Sequence, residues 1–537
     1  MQGDFDFVVV GAGTAGCVLA ARLTADGRHR VLLIEAGGEA RSPWIKVPVG
    51  YAKLLSNPRY NWMYATSPEA ALGGRRIDQP AGRGVGGTGL INGMIYIRGQ
   101  PEDYDAWAAA GNSGWGWNEV LPWFRRTEHN SRGASELHGA DGPWHVSDLP
   151  HRHVLADAFV AAAGEAGVPH NLDFNGPQQE GAGYYQLNTH RGRRASTASA
   201  LLDEARRRTN LAVASDALAV RLMVEAGRVC GVEYQQGGVI RQARALREVV
   251  LAAGTFNSPQ LLQASGIGAP EHLQSIGVAV RAALPGVGAN LHNHFRAPIV
   301  MRCRQPVTLN DIMRSPLQRV GMGISYLLFR DGPMAAATYA GAFLRSTPEV
   351  TRPDIQVTFW TYSVARRDSG GVVLHDFPGF TANAVILRPQ SRGTVRALSA
   401  DVRQAPDINY HHLEHPGDAA TLVAGIKALR NILTQPSMAP YVEYEMTPGA
   451  QCADDDALLE FARSAGGSVY HPVGTCRMGN DAMAVVDQRL RLHGLAGLRV
   501  ADASIMPSII SGNTNAPTAM IAERAAGWIL RDAAQTQ

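Results

Sequence analysis

Phe5-Asp6-Phe7-Val8-Val9-Val10-Gly11-Ala12-Gly13-Thr14-Ala15-Gly16 decides the fold, because an apolar run ends at a glycine cluster and a helix-forming stretch follows. Phe5 to Val10 has the pattern of a buried strand. From Gly16 to Asp26 alanine and leucine are spaced for a helix lying on a sheet, and Val31-Leu32-Leu33-Ile34-Glu35 is a second apolar strand with an acidic end. The unit is β–α–β with a GxGxxG turn. Gly11 permits the tight turn, Gly13 lets backbone approach a pyrophosphate, and Gly16 lets helix and strand pack closely. The helix N-terminus then offers N–H donors and a positive dipole end to phosphates. Glu35, nineteen residues after Gly16, is placed to accept the ribose hydroxyls of an adenosine half and to repel a 2′-phosphate.

Working outward, Val249–Ala253 and Leu498–Asp502 repeat the short apolar strand pattern, the first again stopping at a glycine. If these strands share one sheet, the nucleotide-binding unit is discontinuous. The sequence therefore predicts an α/β chain, α+β overall: a Rossmann-like dinucleotide domain with an inserted domain built on an antiparallel sheet covered by helices. The expected division is 1–300 for the nucleotide domain, with excursions around 140–190, then 301–463 for the inserted domain and 464–537 for the return. Within the insertion, strands are expected at Asp354–Phe359, Ala384–Leu387 and Gly393–Leu398, and a helix at Asp418–Thr434.

Length and composition agree. At 537 residues the chain exceeds what one core usually serves. Fifty basic against forty-seven acidic residues leave a net charge of +3 with no like-charge block, so no nucleic-acid or anionic-membrane footprint is read. Glycine, 58 of 537 residues, is well above the typical ~7%, which points to tight turns and close backbone–ligand approaches. Five scattered cysteines give neither a disulfide framework nor a zinc knuckle, and a cytoplasmic, reducing setting is expected. No uninterrupted apolar run reaches ~18 residues.

GxGxxG alone does not separate NAD from FAD. A second cluster, Gly82-Arg83-Gly84-Val85-Gly86-Gly87-Thr88-Gly89-Leu90-Ile91-Asn92-Gly93, suits backbone running along a large planar ligand. Together with Gly93–Gly99, the stretch Gly254-Thr255-Phe256-Asn257-Ser258-Pro259 through Gly268, Leu284–Gly288, Pro389–Gly393, Tyr470–Gly479, Asp502–Pro507 and Gly512–Pro517, it resembles the glucose–methanol–choline family of flavin-dependent alcohol oxidoreductases over nearly the whole chain. Ser258 is expected to cap the helix that Pro259 starts and Gly266 ends.

The resemblance implies non-covalent FAD in an extended pose. Thr14 and Ala15 would hold its pyrophosphate, and Glu35 with Ala36 the adenosine ribose. Val220 would pack near the adenine, and Val85, Gly86, Asn92, Gly93 and Met94 would line the flavin side. Tyr470, Asp502, Ala503 and Thr514 belong to the same cofactor set. Some relatives tether the flavin through a histidine just before the asparagine of the first signature; Ile91 stands there and offers no nucleophile.

Oxidising an alcohol needs a base with a pKa near neutral, which suits histidine. The resemblance puts the base at His471, and puts Asn513 where it would orient the alcohol and stabilise a developing alkoxide. The helix beginning at Asn515-Ala516-Pro517 would direct its N-terminus at the flavin. Val469 falls where relatives tune reaction with oxygen, and Thr358 stands where choline-oxidising relatives carry a histidine. Phe359-Trp360-Thr361-Tyr362 is a candidate pocket wall, and Trp62 could touch the cofactor or anchor a loop. His292 and His294, and His411 and His412, are given no role, and no metal is expected. The expected activity is FAD-dependent oxidation of an uncharged primary alcohol to an aldehyde, with electrons passed to oxygen or a quinone- or dye-type acceptor. A cyanohydrin-cleaving lyase on the same fold is the alternative, and neither nucleic acid nor membrane is an expected partner.

Overall fold

The computed structural model describes residues 3–336, 338–368 and 371–535. Two seven-stranded sheets organise it. In the first, Leu211–Ala214, Val31–Ile34, Gly3–Val10 and the C-terminal part of Val239–Leu251 lie parallel in that order. Leu498–Val500 closes the parallel set by pairing with Val249–Leu251, so strands almost five hundred residues apart in sequence share one sheet. The N-terminal part of Val239–Leu251 runs on into an antiparallel flap with Arg228–Gln236 and Ala217–Glu225.

Helix Thr14–Leu23 crosses this sheet beside the C-terminal helix Asn515–Gln535. The close approach requires Gly16, because a Cβ there would stand 1.8 Å from the carbonyl oxygen of Gly11. Gly11 itself has φ +99°, open to glycine and strained for other residues.

The second sheet is antiparallel, in the order Val442–Thr447, Phe295–Cys303, Gly379–Ile386, Ile355–Trp360, Ala340–Leu344, Gly181–Tyr184, with Gly467–Ser468 also pairing with Phe295–Arg296. Helices Val154–Glu165, Pro416–Leu433 and Asp455–Ala465 cover one face. The strand alternation divides residues between core and cleft. Ile355, Val357 and Phe359 are buried beneath the helices, while Gln356, Thr358 and Trp360 face a cleft between the sheets. The stretch read as a strand at Gly393–Leu398 is only Thr394–Arg396, paired with Asp407–Asn409 outside this sheet.

One local expectation is corrected. The helix of the second glycine-rich signature starts at Gly254, not Pro259, and runs to Ala264. Pro259 therefore sits inside it, where its missing N–H leaves the carbonyl of Thr255 without the usual partner. The hydroxyl of Thr475 donates to that carbonyl instead, at 2.7 Å. Ser258 does not cap; its hydroxyl donates to the Asp502 carboxylate at 2.6 Å, as does the Gly254 N–H at 2.9 Å. Gly266 closes the helix with φ +83°, as expected.

Candidate active site

One cleft runs from the glycine turn to the exposed ends of the second sheet, lined by Gly13, Glu35, Asn92, Gln356, His471 and Asn513 among others. At one end Gly11, Gly13, Thr14 and Ala15 form the N-terminus of the first helix, which no side chain caps and whose first turn holds no acid. Thr14 Oγ1 donates to Asn515 Oδ1 at 2.7 Å, joining this N-terminus to that of the C-terminal helix, and Asn515 and Thr518 line the same cleft. Two helix N-termini thus converge on one space, an arrangement suited to anionic groups.

Glu35 is buried and accepts N–H bonds from Ala12 at 2.9 Å, Gly37 at 2.8 Å and Gly84 at 3.0 Å. Burial raises its pKa, and the three N–H donors oppose that rise. Its carboxylate pins three loops and still lines the cleft beside Ala36, with acceptor capacity left for a ligand hydroxyl.

The second glycine cluster is held by a residue the sequence reading passed over. Arg194, buried, donates to Asn92 Oδ1 at 2.6 Å, the Asn92 carbonyl at 2.8 Å, the Gly89 carbonyl at 3.2 Å and the Ile45 carbonyl at 3.0 Å. Burial among neutral acceptors lowers its pKa to about 9. Asn92, Gly93 and Met94 line the cleft; a Cβ on Gly93 would meet no atom within 4 Å. Met94 has φ +62°, unusual for a side-chain-bearing residue, with its N–H bonded to Asn92 Oδ1 at 3.2 Å.

Three residues expected at the cofactor lie off the cleft lining. Val85 is buried in the core, its N–H bonded to the Gly38 carbonyl, and Gly86 donates to the Ala12 carbonyl at 2.7 Å; Gly87 and Thr88 reach the cleft in their place. Val220 is also off the lining, which Ala217, Leu218 and Ala219 supply. Tyr470, Asp502, Ala503, Thr514, Val469 and Trp62 all line the cleft. In the aromatic stretch, only Trp360 does: Phe359 stacks on Phe159 in the core and the Tyr362 hydroxyl bonds that of Tyr51 at 2.8 Å.

At the other end a part-buried chain of hydrogen bonds contains both residues expected to be catalytic. His471 Nε2 lies 3.0 Å from Asn513 Nδ2, and His471 Nδ1 lies 3.0 Å from His294 Nδ1. His294 Nε2 is 2.9 Å from the carbonyl of Leu387. That carbonyl can only accept, so His294 carries its proton on Nε2 and, being neutral, accepts at Nδ1. His471 must then donate from Nδ1, which leaves its Nε2 lone pair facing Asn513 and the cleft. Asn513 Oδ1 accepts from Gln356 at 3.2 Å, fixing its amide orientation.

The dismissal of His294 is therefore corrected: it is the partner that sets the His471 tautomer. Burial first, then the neighbouring His294, holds the His471 pKa well below the ordinary histidine value. Burial lowers that of His294 to about 4. Asn293 Oδ1 accepts the His471 N–H at 2.8 Å, and Tyr470, at φ +68°, is tied through its N–H to Ser468 Oγ at 2.8 Å.

Residues 5–296 and 389–522 match the N- and C-terminal parts of the GMC oxidoreductase family, and the chain belongs to that family. It is 41% identical to an alcohol dehydrogenase [acceptor] of Pseudomonas putida, over 98% of this chain and 96% of that protein. It is 42% identical to an oxygen-dependent choline dehydrogenase of Yersinia pseudotuberculosis, over 98% and 94%. Among solved structures, pyridoxine 4-oxidase from Mesorbium loti superposes with a TM-score of 0.88 at 32% identity, covering 97% of this chain and 98% of that one. The protein is accordingly an FAD-containing oxidoreductase with an α/β cofactor fold and a substrate domain. The cleft fits the cofactor: two open helix N-termini for the phosphates, the partly unused Glu35 carboxylate for a ribose, and the unobstructed backbone at Gly93 for a flat ring system.

Proposed function

We propose that the chain oxidises an uncharged primary alcohol to an aldehyde, with His471 as base and FAD held without a covalent tether. The observation that carries this reading is the chain Leu387–His294–His471–Asn513–Gln356, which directs an unprotonated Nε2 into the cleft. An alcohol hydroxyl bound there gives its proton to His471 Nε2, and Asn513 Nδ2 donates to the same oxygen as negative charge grows on it. When bound, FAD supplies the acceptor for the hydride equivalent leaving the carbinol carbon.

Because the His471 pKa is depressed, the imidazole is neutral and ready to accept a proton across the ordinary physiological range. Ile91, Asn92 and Gly93 line the cofactor's expected flavin side with no nucleophile at the tethering position. Glu35 and Ala36 serve the ribose, Thr14 and Ala15 the pyrophosphate, and Tyr470, Asp502, Ala503 and Thr514 the remaining cofactor contacts. Oxygen or a quinone-type molecule would then take the electrons, in a cytoplasmic setting.

An uncharged substrate is favoured over choline by the polar groups at the cleft's substrate end. Arg296, Thr338, Gln356, Thr358 and Trp360 line it, whereas the lining carboxylates among the described residues are Glu35 and Asp502, both engaged near the glycine turns. A quaternary ammonium group would find no carboxylate there. The test is the visible spectrum of the anaerobic yellow protein before and after a panel of primary alcohols. Bleaching confirms oxidation, and admitting air separates oxidase from dehydrogenase. An unbleached flavin with aldehyde released from a cyanohydrin would overturn the reading in favour of a lyase.

A further inference from the structure

The loop that carries Asn513 is held by a helix that lies outside the cleft. Helix Pro101–Ala109 begins with a capping box, in which the Asp103 carboxylate accepts the Gln100 N–H at 2.9 Å. That single bond completes the cap, yet Asp103 is buried and takes three more. Its Oδ2 accepts the Ser511 N–H at 2.6 Å, and its Oδ1 accepts the Ser511 hydroxyl at 3.0 Å and Arg352 Nη1 at 2.7 Å. An ionised carboxylate offers about four acceptor sites, so Asp103 is fully engaged by protein groups. Asp103, Ser511 and Arg352 are all off the cleft lining.

The four bonds join three segments that meet again in the cleft. Ser511 stands two residues before Asn513, and Arg352 stands four residues before Gln356. Gln356 Nε2 donates to Asn513 Oδ1 at 3.2 Å and to the Tyr185 hydroxyl at 3.2 Å. One carboxylate thus ties the loop that carries the Asn513 amide to the strand that orients it. Gln179 reinforces the tie: its Nε2 donates to the Ser511 carbonyl at 2.8 Å, and its Oε1 accepts from Gln100 Nε2 at 2.8 Å. Between Ser511 and Asn513 the backbone has little room to move, since a Cβ at Gly512 would lie 2.2 Å from Ile97 Cγ2. A displacement of Ser511 is therefore passed on to Asn513.

We infer that Asp103 is a positioning residue for the reaction: through Ser511 and Arg352 it sets where the Asn513 amide stands against the substrate oxygen. The inference rests on the reading of Asn513 as the donor to a developing alkoxide. A cap that served only its own helix would spend its bonds on that helix, whereas three of the four bonds to Asp103 come from Ser511 and Arg352. The bond from Asn513 Nδ2 matters most as charge grows on the oxygen, so a misplaced amide slows the chemical step more than it weakens alcohol binding. A misplacement of about 1 Å can cost on the order of 10²-fold in rate.

The test is a double-mutant cycle on the FAD-loaded protein, read by anaerobic flavin reduction with a primary alcohol, together with a crystal structure of each variant. Asp103→Ala should slow reduction about tenfold or more while KM changes about threefold or less. Asp103→Asn keeps an acceptor for both N–H groups and releases only Arg352, so it should recover most of the rate. In an Asn513→Ala background Asp103→Ala should slow reduction by about twofold or less, because the group it acts through is gone. The structure of Asp103→Ala should show the Asn513 amide displaced from His471 and Gln356 by about 0.5 Å or more. Equal losses in both backgrounds, or an Asn513 that has not moved, overturns the inference. If Asp103→Ala fails to retain flavin, the same cycle and structure with Arg352→Met decide, since Arg352 is the more exposed end of the pair. A parent that no alcohol bleaches would sink the proposed activity, and the position of Asn513 in the variant structures would still decide this inference.

Discussion

Replacing His294 by phenylalanine tests the tautomer argument most directly. In the native site His294 Nδ1 accepts from His471 Nδ1–H at 3.0 Å, and its own Nε2–H satisfies the Leu387 carbonyl at 2.9 Å. Phenylalanine fills the space and does neither. His471 is then left with a buried, unsatisfied N–H, which costs about 1–3 kcal/mol. The ring can escape that cost by moving the proton to Nε2 or by rotating, and either change removes the lone pair that faces Asn513 and the cleft. A preference of about 2 kcal/mol for the wrong arrangement leaves roughly one molecule in thirty competent. The anaerobic rate of flavin reduction by a primary alcohol should therefore fall about 10–100-fold, with KM changed about threefold or less. His294→Asn, whose Oδ1 stands close to the position of the lost Nδ1, should recover much of the rate. Flavin content and melting temperature will show whether each variant folds. A phenylalanine variant with full flavin content, the parental reduction rate and the parental pH profile would refute the reasoning.

Asn513→Ala removes one hydrogen bond to the developing alkoxide while leaving the base in place, so kcat/KM should drop about 10²-fold with flavin content retained; stopped-flow reduction measures it. Because the His471 pKa is depressed, the base is lost only when pH falls through that lowered value. The acid limb of kcat/KM should therefore lie well below the ordinary ~6.5, and a limb at 6.5 or above would contradict the buried pair. The same sign applies to stability. His292, pushed down to about 3, His294, to about 4, and His471 all stay neutral in the fold, whereas the unfolded chain protonates them. Their stabilisation is whole above ~6.5 and is lost on acidification toward 4 at up to about 4 kcal/mol per pH unit, a slope that urea titrations at several pH values will read. Arg194→Met strips three hydrogen bonds from the loop Gly82–Gly93 and a fourth from the Ile45 carbonyl; FAD should bind at least tenfold more weakly by apoprotein titration, with the parental fold retained.

Much of the first sheet was legible because its chemistry is local. A strand that must end where backbone meets a phosphate ends in glycine, and Val10 before Gly11 marks such an end. The apolar runs at Val249 and Leu498 are short and continuous, as strands buried on both faces are, and they do pair in register. The antiparallel flap from Ala217 to Arg244 gave no such signal, because Arg221, Arg241, Arg244 and Glu233 alternate with its apolar residues on partly exposed faces. Pro259 misled for a physical reason too. Proline at a first helical position is the common case, and only the distant Thr475 hydroxyl, supplying the Thr255 carbonyl, makes an interior one tolerable.

The site separates along the same line. Residues whose function is written into backbone shape, such as Gly13, Gly93 and Gly266, declare themselves by type and spacing. Those whose function is to complete another residue's hydrogen bonding do not. Arg194 follows Arg191 and Arg193, a run that reads as solvated surface until the Asn92 and Gly89 carbonyls are seen to enclose it. His294 stands 177 positions from His471, beside a second histidine that is buried for other reasons. Nothing in its neighbours distinguishes the two, since both are flanked by asparagine and apolar residues. The distinction is made in space, by strand Phe295–Cys303: it follows His294 directly and pairs with Gly467–Ser468, three residues before His471. The proposed base and its histidine partner thus come together because one strand of the antiparallel sheet and the segment leading to His471 are hydrogen-bonded neighbours. Disturbing that pairing, even far from any ligand, should weaken His471 as a base before it weakens FAD binding.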